Sequence, residues 1–443
     1  MRIRFLRVGP SPLRSPADSS EPGDANCADE RIELPSGACR SFVRLLSAAG
    51  LLAGRGWTPV VGALVAFVIH SVVGFTFAIF SLEAFREDQR AGEPFFRSFF
   101  QSNFIGIPLA MIYLSLMLSL AVGRRRYSRV LSELCSVLKE FEHLPQPVTS
   151  RLRPSTIGAA MWALTAGVTA IYFATKVHTI VWVCKVIPPP VGVSHHLSCT
   201  EWVALTIGLA YSTVSFALIA MKFVLAGLLL AHGLQLVNGR LEVLAAAPAA
   251  ADTTATAEPV GVEAVAEAAQ ADVTRVEAAA PPLSDEAELR RLGRLHRRLS
   301  EVTSSLCSAL SPELMMLSAV AVLSQVMLAA LLFYPLRDMA FLLRYLPLAA
   351  VAMGGPCETC QQLLNQLDAG RRLLLRLEWH RPQLGSAVGP LLRNIEHDLE
   401  TVGDLGLFRL RRSTLLSVWS TIVTYVIVMA QFKMSETQTA GAP

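Results

Sequence analysis

Apolar positions along this chain gather in long uninterrupted blocks instead of alternating with polar ones. Seven windows are apolar over roughly the 20 residues that a helix needs to cross a bilayer core. They are Trp57–Leu82, Phe104–Val122, Ile157–Cys184, Trp202–Leu230, Pro312–Tyr334, Leu342–Cys360 and Leu415–Phe432. The pattern predicts an all-α membrane protein with seven transmembrane helices. Transmembrane β-barrels need short strands of alternating hydrophobicity, which these continuous runs are not. Trp57, Trp182 and Trp202 fall at window ends, where amphipathic rings prefer the headgroup level.

The segments between the windows divide the rest of the chain. Residues 1–44 read as a polar tail, largely disordered: Arg2, Arg4 and Arg7 are followed by no apolar stretch of the kind a secretory signal requires. Residues 45–434 form the seven-helix domain, interrupted at 245–282 by a low-complexity insertion rich in Ala, Glu, Thr and Pro, and 435–443 is a short tail. After the insertion, Leu289, Leu292, Leu295, Leu299, Val302 and Leu306 recur at three- and four-residue steps among arginines. That spacing predicts an amphipathic helix running into the fifth window and packing with its neighbours.

Charge decides the sixth window, which carries Arg344 near its start and Glu358 near its end. If it did not cross, every arginine from Arg337 to Arg412 would share one face, against the tendency of basic residues to stay inside. With seven crossings, 30 of the 39 Lys and Arg residues fall on one face and seven on the other. The N-terminus is therefore expected in the cytosol and the C-terminus outside.

Composition agrees with a membrane class: 52% hydrophobic residues, 17% charged, and a mean hydropathy of +0.45. A net charge of +4 is too small to argue for a nucleic-acid partner. No His/Glu metal constellation, glycine-rich phosphate loop or nucleophile elbow is visible, so neither an enzyme nor a bound cofactor or metal is expected. Cys184 and Cys199 border the same outer loop, which leaves a disulfide between them open. Cys357 and Cys360 have CxxC spacing without a second pair and read as ordinary thiols.

The seventh window carries a different message. Ser417, Thr421, Thr424, Val428 and Gln431 follow at 4-3-4-3 spacing and share one face of a helix whose other faces are apolar. Such a stripe must meet protein or water and not lipid. Back-bonding of Ser and Thr within the helix is the plain reading, and Gln431, whose amide is costly in hydrocarbon, points instead to an aqueous pathway. The end of this window, Thr424-Tyr425-Val426-Ile427-Val428-Met429-Ala430-Gln431-Phe432, resembles the Thr-Tyr, five-apolar, Gln-Phe signature closing the last helix of insect gustatory receptors. Phe408-Arg409-Leu410, Arg412-Ser413 and the Leu295-to-Met315 lead into the fifth window are similar as well.

The resemblance implies a plasma-membrane receptor that is a ligand-gated cation channel opened by a small-molecule tastant. It implies a homo- or heterotetramer with the seventh helices around one pore. Gln431 and Phe432 would stand at the outer gate, Thr424 and Tyr425 a turn or two below, and each subunit would hold a ligand pocket opening outward among the second to sixth spans. Val426 stands where the sugar-responsive branch carries an acidic residue, which argues against sugar. Candidate pocket residues in the spans are Tyr113, Tyr172, Lys176, His178, Tyr211 and Gln325. Lys222, deep in the fourth window towards the cytosol, is expected to snorkel or anchor at that end. The alternatives are a G-protein-coupled type of receptor, which lacks its usual span-three and span-seven motifs here, and an odorant-receptor-like channel subunit.

Overall fold

The computed structural model describes residues 37–54, 57–92, 106–142, 152–186, 199–254, 285–331, 350–405 and 409–440. Its elements are α1 (Gly37–Ala48), α2 (Trp57–Arg90), α3 (Gly106–Leu118), α4 (Arg124–Glu142), α5 (Pro154–Val186), α6 (Cys199–Thr254), α7 (Asp285–Leu331), α8 (Gly355–His380), α9 (Gly385–Thr401) and α10 (Arg412–Ala440). A π-turn, Ser119–Gly123, joins α3 to α4, and a second, Ala350–Gly354, leads into α8. The architecture is all-helical. Four of the helices, α2, α5, α6 and α7, are long and apolar enough to cross a membrane, and α10 is a shorter apolar helix. Of the seven windows, the second, fifth and sixth are only partly covered by described residues.

α6 is the axis of the protomer. Its 56 residues pack against α3, α4, α5, α7 and α8, and side chains from Phe216 to Leu241 are almost all buried. α2 is as apolar and yet lies at the edge, with Val60, Leu64, Phe67, Val68, Val72 and Phe75 all exposed. Hydrophobicity alone cannot separate these two helices, because lipid is as good a solvent for leucine as a neighbouring helix. What sets α6 apart is that helices surround it, and small residues allow close crossings along it. A methyl group at Gly227 would lie 2.2 Å from Thr359 of α8, and one at Gly233 would lie 3.1 Å from Leu299 of α7. Such positions let helices approach closely enough to gain dispersion contacts that lipid would not supply.

Beyond the apolar windows α4, α6, α7, α8 and α9 continue as a bundle at the arginine-rich end. Leu289, Leu292, Leu295, Leu299, Val302 and Leu306 of α7 are all buried there, so this stripe packs against neighbouring helices. Polar links tie the bundle together: Arg298 to Glu140 of α4, Asn238 Nδ2 to the Gln366 carbonyl at 2.8 Å, and Ser300 Oγ to Asp398 Oδ1 at 2.6 Å.

α1 begins inside the segment read as a polar tail. Cys39, Phe42, Val43 and Leu46 are buried on one side of it, and Phe42 meets Trp162 of α5 edge-on at 6.1 Å. A methyl group at Gly158 would fall 2.5 Å from the Cys39 backbone nitrogen, so α1 rests directly on α5. The turn after it needs Gly50, whose φ of +74° is a left-handed conformation. α6 likewise runs to Thr254, ten residues into the stretch read as a linker.

Candidate functional site

α10 carries the residues singled out for a pore. Among its described side chains only Ile422 is buried; Val418 and Val426, one turn before and after it, are half-buried, and this face meets α7, α8 and the second π-turn. Ser417, Thr421, Thr424, Val428 and Gln431 lie on the other side and are exposed, as is Tyr425. The polar stripe therefore faces away from the rest of the helical bundle. Thr421 Oγ1 donates to the Ser417 carbonyl and Thr424 Oγ1 to the Ser420 carbonyl, both at 2.9 Å. Back-bonding and exposure thus coexist: the hydroxyl protons are satisfied within the helix while the oxygen lone pairs remain available outside it. The Phe432 side chain lies outside the described set.

At its start α10 is clasped to α8. Arg412 Nε and Nη2 donate to the two carboxylate oxygens of Glu358 at 2.7 and 2.6 Å. The two-pronged geometry fixes orientation as well as distance.

The pocket candidates divide among several places. Tyr113 is buried on α3 with its ring against Gly74 of α2. Tyr211 on α6 stacks on His70 of α2, ring centroids 5.4 Å apart, and His70 Nδ1 lies 2.8 Å from Ser212 Oγ. His70 is 1% exposed and was not legible as a site residue, because in sequence it is one polar position in a long apolar run. Tyr172 on α5 is buried, and so is Gln325 on α7, whose Nε2 has no hydrogen-bond partner among the described residues. Lys176 and His178 sit on α5, and Cys184 and Cys199 at the facing ends of α5 and α6, but these four side chains lie outside the described set.

Lys222 departs from expectation. It does not snorkel: it is 0% exposed, its Nζ 2.8 Å from Glu313 Oε2 of α7 and 2.7 Å from Ser119 Oγ, to which it donates. An apolar window gives no hint of this pairing, since the two partners are 91 positions apart and meet only through helix packing. Cys357 and Cys360 are buried free thiols.

A cavity of about 590 Å³ opens at the arginine-rich end between α7 and α9, lined by Ser300, Thr303, Ser304, Cys307, Asp398 and Asp404 among others. Burial pushes the Asp398 carboxyl above its usual range, against the opposing hydrogen bond from Ser300.

Comparison with known proteins gives this helical arrangement its place. No curated relative matches the chain in sequence. Solved structures that share its fold include the insect olfactory receptor OR5 from Machilis hrabei in complex with eugenol (TM-score 0.58, 14% identity, 89% of this chain and 97% of that one) and the same receptor alone (TM-score 0.57, 14% identity, 89% and 98%). In sequence, residues 53–436 match the family described as 7tm chemosensory receptor. With nearly the whole helical region covered, the chain belongs to the 7tm chemosensory receptor family.

Proposed function

We propose that this protein is a gustatory receptor: a ligand-gated, non-selective cation channel in the plasma membrane, assembled as a tetramer and opened by a small-molecule tastant. The observation that carries the reading is the placement of Ser417, Thr421, Thr424, Val428 and Gln431 on the side of α10 that its own protomer leaves bare. A polar face on a membrane-spanning helix must be covered by protein or water. Four copies of α10 around one axis would cover it with water and with each other. Gln431 amides and Phe432 rings would then form a ring near the outer end, wetted when wide and dewetted when narrow. The arginine-rich end faces the cytosol, in keeping with the basic-residue asymmetry.

The ligand pocket lies among the spans that hold Tyr113, Tyr172, Lys176, His178, Tyr211 and Gln325. Ligand opens the channel only by as much as it prefers the open state over the closed one. A second reading, an odorant-receptor-like channel subunit, is favoured by one fact: the similar solved structures are of an olfactory receptor.

The test is expression of this chain in oocytes without added G proteins. Agonist-evoked cation current is expected, and Gln431→Ala is expected to alter gating or permeation at equal surface abundance. Wild-type currents in that variant would remove the pore assignment. An epitope at the C-terminus is expected to be reached by antibody on intact cells; an N-terminal epitope reached instead would mark the G-protein-coupled arrangement. Responses to volatile compounds and none to non-volatile tastants would favour the odorant branch.

A further inference from the structure

One level of the helical bundle combines a buried charge pair with two π-turns and a proline in the helices around it. On α6, which passes this level as an unbroken helix, Lys222 is completely buried. Its ammonium has three directions to satisfy. Glu313 Oε2 lies 2.8 Å away on α7, Ser119 Oγ accepts at 2.7 Å, and the Tyr127 ring lies below, its centroid 5.5 Å from Nζ. Tyr127, itself 0% exposed, donates its hydroxyl to the Lys222 backbone carbonyl at 2.8 Å. Lys222 is the sole described cation at the Glu313 carboxylate, and no other described group donates to it. Each charge therefore depends on the other.

Two π-turns and a helical proline lie in the surrounding helices at this same level. Ser119 opens the π-turn between α3 and α4, and Gly123 closes it. A methyl group at Gly123 would fall 1.5 Å from Glu313 Oε1, so a larger residue there would displace the carboxylate. Pro312, immediately before Glu313, removes a backbone donor from α7. The second π-turn, Ala350–Gly354, leads into α8; a methyl group on the next residue, Gly355, would lie 3.1 Å from Val224, two positions from Lys222. That second turn is also in contact with α10. A π-turn holds one residue more than the α-helix it interrupts, and relaxing it rotates everything beyond by about 100°. At the two π-turns the chain can thus change register more cheaply than in regular helix, and the charge pair ties the first of these turns and α7 to α6.

We propose that Lys222 and Glu313, seated against the Ser119–Gly123 π-turn, are positioning residues for gating: they fix the register of α3 and α7 against α6 and so set the balance between closed and open channel. The proposal rests on the channel reading given above. A buried ion pair suits this role because it is all-or-none. Its partners are close and dry, or apart with water admitted, and removing one partner leaves a charge that the bundle cannot hide. Replacing both by apolar groups leaves no such charge.

The experiment is a double-mutant cycle read by agonist dose–response in oocytes, with current normalised to surface abundance. Lys222→Met and Glu313→Leu are each expected to shift the half-maximal agonist concentration by about tenfold or more, a coupling of ordinary allosteric size. The combined variant Lys222→Met/Glu313→Leu is expected within about threefold of wild type, a non-additivity that distant sites do not show. Ser119→Ala, which keeps the pair and removes only one acceptor, is expected to shift the midpoint in the same sense by about threefold. Single variants that reach the surface and respond at wild-type concentrations, or a combined variant whose shift is the product of the single shifts, would overturn the proposal. If the single variants do not reach the surface, an unchanged midpoint in Ser119→Ala overturns it. A wild-type chain that reaches the surface and carries no current removes the channel reading and this inference together, whereas normal wild-type currents with unmoved variants remove this inference alone.

Discussion

His296 shows what burial does to a titrating side chain at the arginine-rich end. It sits on the α7 segment that precedes the fifth window, among Arg290, Arg294, Arg297 and Arg298, and is 2% exposed. Neither ring nitrogen has a hydrogen-bond partner among the described residues, and burial lowers its pKa from 6.5 to about 4. The unfolded chain therefore binds a proton more readily than the folded one between these values. Stability is full above pH 6.5 and falls as pH drops toward 4, by about 3 kcal/mol at most. His296→Leu is expected to flatten this part of the melting-temperature profile of detergent-solubilised protein; an identical profile in the variant would show that His296 is not responsible. Lys222 teaches the complementary lesson. Snorkelling is a sound default for a lysine near the end of a span, and it failed here because Glu313, Ser119 and Tyr127 offer partners nearer than water.

At the scale of elements, the clearest success of periodicity is the leucine stripe of α7. Its three- and four-residue spacing defined a face, and every member of that face is buried. Leu299 lies at the closest crossing, against Gly233 of α6, so Leu299→Ala opens a cavity that the glycine side cannot refill. A loss of about 2–5 kcal/mol is expected, read as a lowered melting temperature of the solubilised protein. α1 went unread because its apolar set is small: Cys39, Phe42, Val43 and Leu46 in a short helix surrounded by polar and small residues. Nothing in that pattern announces Trp162 and Gly158 on α5, which give α1 its seat. On α10 the polar stripe was plain from spacing, and the structure added which way it faces. The clasp between Arg412 and Glu358, by contrast, joins residues 54 positions apart that had been read separately, one as a basic loop residue and one as a blemish in an apolar window.

At the scale of the whole molecule, two helices expose apolar side chains in different company. α10 leaves Leu416, Val423, Tyr425, Ile427 and Val428 exposed alongside its polar stripe, a mixture that suits neither lipid alone nor water alone. α2 also exposes apolar side chains, but with few polar residues among them until its far end, which suits lipid. The contrast predicts that copies of this chain, or of related chains, cover α10 and leave α2 bare. Mass measurement of the protein in detergent is expected to give four chains per particle, and cysteines introduced at Thr421 are expected to cross-link between chains. A monomeric particle with full agonist response would contradict the shared-pore arrangement.

The sequence by itself determined the helical class, the positions of the apolar windows, the basic-residue asymmetry and the polar stripe near the C-terminal end. These are local properties: each follows from composition or from spacing within a few helical turns, and a bilayer makes them decisive because backbone groups must be satisfied within each segment. Only the tertiary structure decided that α6 is the axis and α2 the rim, that Lys222 meets Glu313, that His70 stacks on Tyr211, and that α10 turns its stripe away from the rest of the helical bundle. Those facts depend on which residues meet across 50 to 200 positions of chain. Between helices of equal hydrophobicity, that choice is made by close packing and by the pairing of a few buried polar groups.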